Sequence, residues 1–215
     1  MLFLHESRIV FLCSTKTASS SVESALLPFS GISLTASPVL KHMTYRKFLK
    51  QIAPLIERGH NLKRDDYTVV CIMREPISWV HSWYRYRSRD ALKRAKGSRR
   101  HNYSGDVSYS EFVRSYCSSE PRPYARIGDQ MALFNDVDGS VGVDRVFPYE
   151  SLGQFTDYLR DKIGTNIEIP SLNISPSAQH SLDADAEKLL HAKLQPSIEF
   201  HGRLRPDGSL GQDST

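Results

Sequence analysis

Cysteine is scarce in this chain. Cys13, Cys71 and Cys117 are the 3 in 215 residues, an odd number with no C-x-x-C pair. That excludes a disulfide-built scaffold, and no His or Cys spacing points to a metal site. Cys13 and Cys71 sit inside apolar runs and read as buried free thiols of a reducing compartment. Long apolar runs are missing as well. The most apolar N-terminal stretch, Ile9 to Cys13, ends at once in polar residues, far short of a membrane span. Met1-Leu2-Phe3-Leu4, followed by His5-Glu6, lacks the basic start, long apolar region and small-residue cleavage site of a secretory leader. These absences predict a soluble cytoplasmic chain with no membrane partner. With 12 Gly and 11 Pro the chain is neither collagen-like nor low-complexity. At 40% hydrophobic and 24% charged residues, it can bury a full core without metal or crosslink.

The net charge is +4, but it is unevenly spread. From Arg85 to Arg100 there are eight basic residues and one acidic, a local +7 that leaves −3 for the rest of the chain. Such a stripe suits a solvated surface, a nucleic-acid patch or a collar for an anionic ligand, and composition does not choose among them.

Hydrophobic patterning divides the chain into alternating strands and helices. Residues 8–13 and 67–73 are short, continuous, β-branched runs that read as buried strands. A helix carrying Val22, Ala25 and Leu26 follows the first and stops at Pro28. Thr44 can cap a helix with Phe48, Ile52 and Ile56 on one face. A helix carrying Ile77, Val80 and Tyr84 follows the second strand and frays near Gly97. Ser108 and Glu111 spell a capping box, and a short helix is expected around Gln130 to Phe134. Arg145–Pro148 reads as a strand, followed by a helix closed at Gly164 and a last helix from Asp183 to Leu194. The alternation predicts an α/β fold of three layers, a central parallel sheet flanked by helices. Residues 1–205 are expected to form one domain, with 206–215 a disordered tail.

In such sheets ligands bind at the carboxyl ends of strands, and two strand ends here carry unusual polar residues. After the first comes Lys16-Thr17-Ala18-Ser19-Ser20-Ser21, where small residues let a loop wrap closely and hydroxyls and a lysine favour a phosphate or sulfate. It has no glycine and is not a Walker loop, and an ordinary serine-rich turn fits the same residues. After the second comes Arg74-Glu75-Pro76, with Ser82 on the next helix. Arg74 and Ser82 can converge on one phosphate, or Arg74 can simply pair with Glu75.

Taken together, the two motifs resemble those of the sulfotransferase superfamily, whose members use 3′-phosphoadenosine 5′-phosphosulfate as donor. Lys41-His42-Met43-Thr44 is similar to a Lys-His-x-Thr found between the two motifs in bacterial members and carbohydrate sulfotransferases. Gln130, Asp138-Gly139, Val143-Asp144, Tyr149-Glu150-x-Leu152 and Leu172-Asn173-Ile174-Ser175 follow the order of the family's second half. The resemblance spans roughly residues 8 to 200. It implies a P-loop-like phosphosulfate loop in which Lys16, Thr17, Ala18, Ser19, Ser20 and Ser21 hold the 5′-phosphosulfate. Arg74 and Ser82 would hold the 3′-phosphate. The acceptor would be a hydroxyl of a carbohydrate or other small molecule, with no metal required. The chain departs from the family at Ala18, where glycine is usual, at Glu75, where aspartate is usual, and at Trp79, where a second arginine is usual. It also has no C-terminal Arg-Lys-Gly lid.

Sulfuryl transfer needs a cation for the leaving phosphate and a base for the acceptor. Lys16 suits the first role and His42 the second, with Glu23, Lys41 and His81 as rivals. Two other functions share these features. A P-loop kinase or nucleotide phosphotransferase would use the same loop. A basic nucleic-acid-binding module would use Arg85 to Arg100, with Tyr84, Tyr86 and Tyr103 to stack bases.

Overall fold

The computed structural model describes residues 1–170 and 181–210. In chain order its elements begin with β1 (Leu2–Leu4), β2 (Ile9–Leu12), α1 (Ser19–Leu26), β3 (Ile32–Ser33), α2 (Pro38–Lys41), α3 (Tyr45–Gln51) and α4 (Ala53–His60). They continue with β4 (Thr68–Met73), α5 (Pro76–Arg87), α6 (Asp90–Lys93), α7 (Tyr109–Cys117) and α8 (Met131–Phe134). The last are β5 (Arg145–Pro148), α9 (Leu152–Ile163) and α10 (Ala184–Gly202). The described residues form two compact units: 1–74, 129–170 and 201–210 make the first, 75–128 and 181–200 the second.

The first unit is an α/β sheet structure. Five strands run in the order β3-β1-β2-β4-β5. β2, β4 and β5 are parallel, with Leu12 beside Cys71 and Ile72 beside Phe147. β1 is antiparallel to both β2 and β3, so the sheet is mixed and not purely parallel. The reason is the short reversal at residues 5–8, too short for a crossover and able only to fold β1 back on β2. Arg8 takes φ 51 in that turn. The turn carries none of the Asn-Gly or Gly pairs that announce a hairpin.

Both sheet faces are buried, which explains why the strands read as continuous apolar runs. Leu2, Leu4, Ile9, Phe11, Val70, Ile72 and Phe147 pack with Val22 and Leu26 of α1 and Phe155 and Leu159 of α9. On the opposite alternation, Phe3 meets the ring of Tyr67, and Phe48 of α3 meets Tyr67 edge-on at 6.2 Å. The helix expected from Thr44 through Ile56 is divided at Ile52. Pro54 cannot donate a hydrogen bond and clashes with the preceding turn, yet Phe48 and Ile56 both stay buried.

The tail also departs from expectation over 206–210. Val146 N–H donates to the carbonyl of Gly208 at 3.0 Å, and Arg145 Nη1 to that of Asp207 at 3.0 Å. This covers the outer edge of β5, which would otherwise present open backbone groups. Gly208 has φ +74, and a Cβ there would lie 2.7 Å from the Phe147 ring. Glycine is therefore required twice over. Residues 211–215 and the Leu172-Asn173-Ile174-Ser175 match lie outside the described residues.

The second unit is helical. Glu75 caps α5 by accepting from Ile77 N at 3.0 Å and Ser78 N at 2.6 Å, with Pro76 at the first helical position. The Ser108–Glu111 capping box is present at the start of α7. Trp79, Val80, Phe112, Val113, Tyr116, Leu190 and Leu194 form the core between α5, α7 and α10. Arg87, from the basic stripe, is buried there: Nη1 donates to Pro123 O at 2.7 Å and Nη2 to Arg126 O at 2.8 Å. Burial lowers its pKa to about 10.

No helix among the described residues is long and apolar enough to cross a membrane. Cys13, Cys71 and Cys117 are all free thiols, and burial raises the pKa of each.

Candidate functional site

β2 and β4 are neighbours and parallel, so their carboxyl ends emerge side by side. The segment after β2 is tightly folded. Thr17 is fully buried and its hydroxyl donates to Ser14 O at 3.1 Å, drawing the loop back on itself. Lys16 and Ala18 take φ 64 and φ 53, left-handed conformations that ordinary residues rarely adopt. Holding a non-glycine residue there costs roughly 1–3 kcal/mol, and such strain gathers at sites that need one fixed backbone shape. Ala18 is the N-cap of α1 at φ 53 and ψ 23, a left-handed position that glycine would occupy without strain. Ser19 and Ser21 are buried in the first turn, while Ser20 is exposed.

Lys41-His42-Met43-Thr44 is the joint between two helices. Lys41 ends α2, His42 is its C-cap, Met43 is buried and Thr44 caps α3 by accepting from Lys47 N. His42 is fixed by one contact: Nδ1 lies 2.7 Å from the carbonyl of Cys13, the residue just after β2. A carbonyl only accepts, so Nδ1 carries the proton and Nε2 keeps its lone pair. Burial lowers the His42 pKa, and the positive charge of Lys41 lowers it further against the opposing hydrogen bond to Cys13.

Lys41 reaches the first turn of α1. Its Nζ donates to Ser20 Oγ at 3.0 Å and pairs with Glu23 at 2.5 Å. Two of the residues considered as alternative bases are thus tied to each other. The third, His81, is on α5 in the second unit, with its ring 4.9 Å from that of Tyr109.

Arg74 follows β4 directly. It precedes Glu75, whose carboxylate caps α5. Its guanidinium lies over the Tyr149 ring at 4.8 Å, and Nη1 donates to Lys16 O at 3.4 Å, so it reaches the backbone of the strained loop. Gln130 accepts from Arg74 N at 3.0 Å and donates to Arg74 O at 2.9 Å. Ser82 stands on α5 in the second unit and is buried.

The structure therefore brings together, within the first unit, Lys16, Thr17, Ala18, Ser19, Ser20, Ser21, His42 and Arg74. It adds residues whose parts were not legible: Cys13 through its carbonyl, Tyr149 under Arg74, and Gln130 on the Arg74 backbone. Each of these contacts joins segments distant in sequence. Other second-half residues have structural work. Asp144 accepts from Val69 N at 2.6 Å and from Arg64 Nη2 at 2.9 Å, and Gly139 allows its turn with φ +87. Glu150 faces His201 at 3.1 Å. Among the described residues, no group of His, Cys, Asp and Glu is arranged to hold a metal ion. Compared with known proteins, the chain matches no family model, no curated protein and no solved structure.

Proposed function

We propose that this chain is a sulfotransferase moving a sulfuryl group from 3′-phosphoadenosine 5′-phosphosulfate to a hydroxyl of a carbohydrate or other small acceptor. The observation that supports it is convergence. Three motifs separated in sequence meet at the carboxyl ends of β2 and β4: the strained hydroxyl-rich loop, the His42 held on Cys13 O, and the Arg74 that touches Lys16 O. A loop that can bind an anion, a base and a strand-end arginine are what this chemistry asks for.

In this reading the loop is P-loop-like. Thr17 sets its shape, and Ser19, Ser20 and Ser21, with the first N–H groups of α1, face the 5′-phosphosulfate. Ala18 keeps the loop small. Arg74 holds the 3′-phosphate. The donor supplies an activated sulfuryl group, which passes through a loose, in-line transition state with charge growing on the leaving oxygen. Lys16 answers that charge. His42 Nε2 takes the proton of the acceptor hydroxyl as its oxygen bonds sulfur and the sulfur–oxygen bond to the leaving phosphate breaks. The products are a sulfate ester and adenosine 3′,5′-bisphosphate, with no metal step. The reading carries a cytoplasmic location, where donor and free thiols are both at home.

The nucleic-acid reading finds less support. Tyr84 is buried and its hydroxyl donates to Val107 O. Tyr86 is covered by Arg89, and Tyr103 by Lys93 and Arg100. Few faces remain for bases.

Thermal melting tests the proposal. Adenosine 3′,5′-bisphosphate at 100 times its dissociation constant should stabilise the chain by about 2.7 kcal/mol. ATP with Mg²⁺ should do little. A larger shift with ATP and Mg²⁺ would make the chain a phosphotransferase instead.

The rate of transfer should also report His42. Its pKa is lowered, so the base form persists below the ordinary histidine value of 6.5. Turnover should stay flat through neutrality and fall only as pH drops through the lowered value. Stability follows the same sign: the unfolded chain takes up the proton first, so His42 destabilises the fold as pH falls below 6.5. An acid limb at or above 6.5 would mean another group is titrating.

A further inference from the structure

β4 and β5 pair from Val70 beside Arg145 to Met73 beside Pro148, where the ladder stops. Proline has no N–H, and the chain turns at Tyr149–Ser151 into a short helical turn. Arg74 is one residue beyond the last rung, so its backbone N–H and C=O have no strand to pair with. A side chain does the work of a strand there. Gln130, only 7% exposed, accepts from Arg74 N at 3.0 Å and donates to Arg74 O at 2.9 Å. The amide orientation is dictated by its partners, because the backbone N–H can only donate and the carbonyl can only accept. A single buried amide thereby extends the ordered strand by one residue, and that residue is the arginine.

The consequence falls on the guanidinium. With the backbone held, the Arg74 side chain starts from one point and is steadied by Tyr149 at 4.8 Å and Lys16 O at 3.4 Å. A bidentate grip on an anion demands that accuracy, since an arginine fork must meet two oxygens at once.

We propose that Gln130 is a specificity-determining positioning residue: by closing the backbone of Arg74 it holds that guanidinium for the 3′-phosphate of the nucleotide. This rests on the proposed function, because it needs Arg74 to read that phosphate. Gln130 itself touches no ligand.

The test is calorimetric titration of the full chain with adenosine 3′,5′-bisphosphate and with adenosine 5′-phosphate. Gln130→Met keeps length and volume but makes neither hydrogen bond. Gln130→Asn keeps the amide on a stem one carbon shorter, which cannot span both backbone groups. Either variant should lose about tenfold or more of the preference for the bisphosphate, with 5′-phosphate binding nearly unchanged, since small misplacements of a binding group carry large penalties. A merely structural glutamine would weaken both ligands alike or lower the melting temperature alone. Either result, or a folded variant that keeps the full preference, overturns the proposal. Should Gln130→Met fail to fold, Gln130→Asn decides. A wild-type chain that binds the two nucleotides equally would remove the 3′-phosphate reading of Arg74 and this proposal with it. Preference intact in Gln130 variants but lost in Arg74→Ala would remove this proposal alone.

Discussion

His42→Ala is expected to lower turnover for sulfuryl transfer by ~10²–10⁴, the range that a positioned general base contributes. Donor binding should stay nearly intact. The nucleotide-facing groups in this reading are Lys16 to Ser21 with Arg74, and His42 is held separately, from Nδ1 to Cys13 O at 2.7 Å. Truncation deletes that bond and the Nε2 lone pair together, so circular dichroism must first show the variant folded. His42→Gln offers a control, because a side-chain N–H can still reach for the carbonyl while no group is left to accept a proton. It should be as slow as alanine. The measurement is mass-spectrometric detection of sulfated product over a panel of hydroxyl acceptors, with initial rates for the best of them. Near-normal turnover in His42→Ala would take the residue out of the chemistry and turn attention to Glu23, Lys41 and His81.

Arg74→Ala should weaken adenosine 3′,5′-bisphosphate binding by about 2–5 kcal/mol, the usual penalty for truncating one partner of a hydrogen-bonded charge pair. Adenosine 5′-phosphate, which lacks the 3′-phosphate, should lose far less. The contrast matters because Arg74 has structural contacts too, over Tyr149 and to Lys16 O. Those contacts serve both nucleotides equally. Titration of both ligands separates the two parts, and equal losses would make Arg74 a structural residue only. Arg74→Lys should recover the charge without the fork, and so only part of the selectivity.

The local signals in the chain translated well into local structure. Thr44 and Ser108 accept from Lys47 N and Glu111 N as helix caps. Gly164 closes α9 with φ +74. Continuous β-branched runs became the buried strands β2 and β4. Each of these depends on residues within a turn or two of each other, so a short window contains the whole cause. The hairpin of β1 and β2 was not legible for the same reason reversed. Leu2–Leu4 is only three residues long, and its turn has no glycine to mark it. Nor could residues 206–210 be distinguished from a loose tail, because what holds them is the open edge of β5, some 60 residues away.

By itself, the sequence determined the chemistry available: a hydroxyl-rich loop with a lysine after one strand, an arginine after another, and a histidine just ahead of a helix-capping threonine. Those follow from residue type and order. Only the tertiary structure decided which of them meet. The parallel pairing of β2 with β4 sets the two strand ends side by side. The Cys13 carbonyl then selects the His42 tautomer, and Gln130 selects the stance of Arg74. Both selectors act through a backbone group of a residue far away in the chain. Backbone groups are the same at every position, so no pattern of side chains announces where such a bond will form.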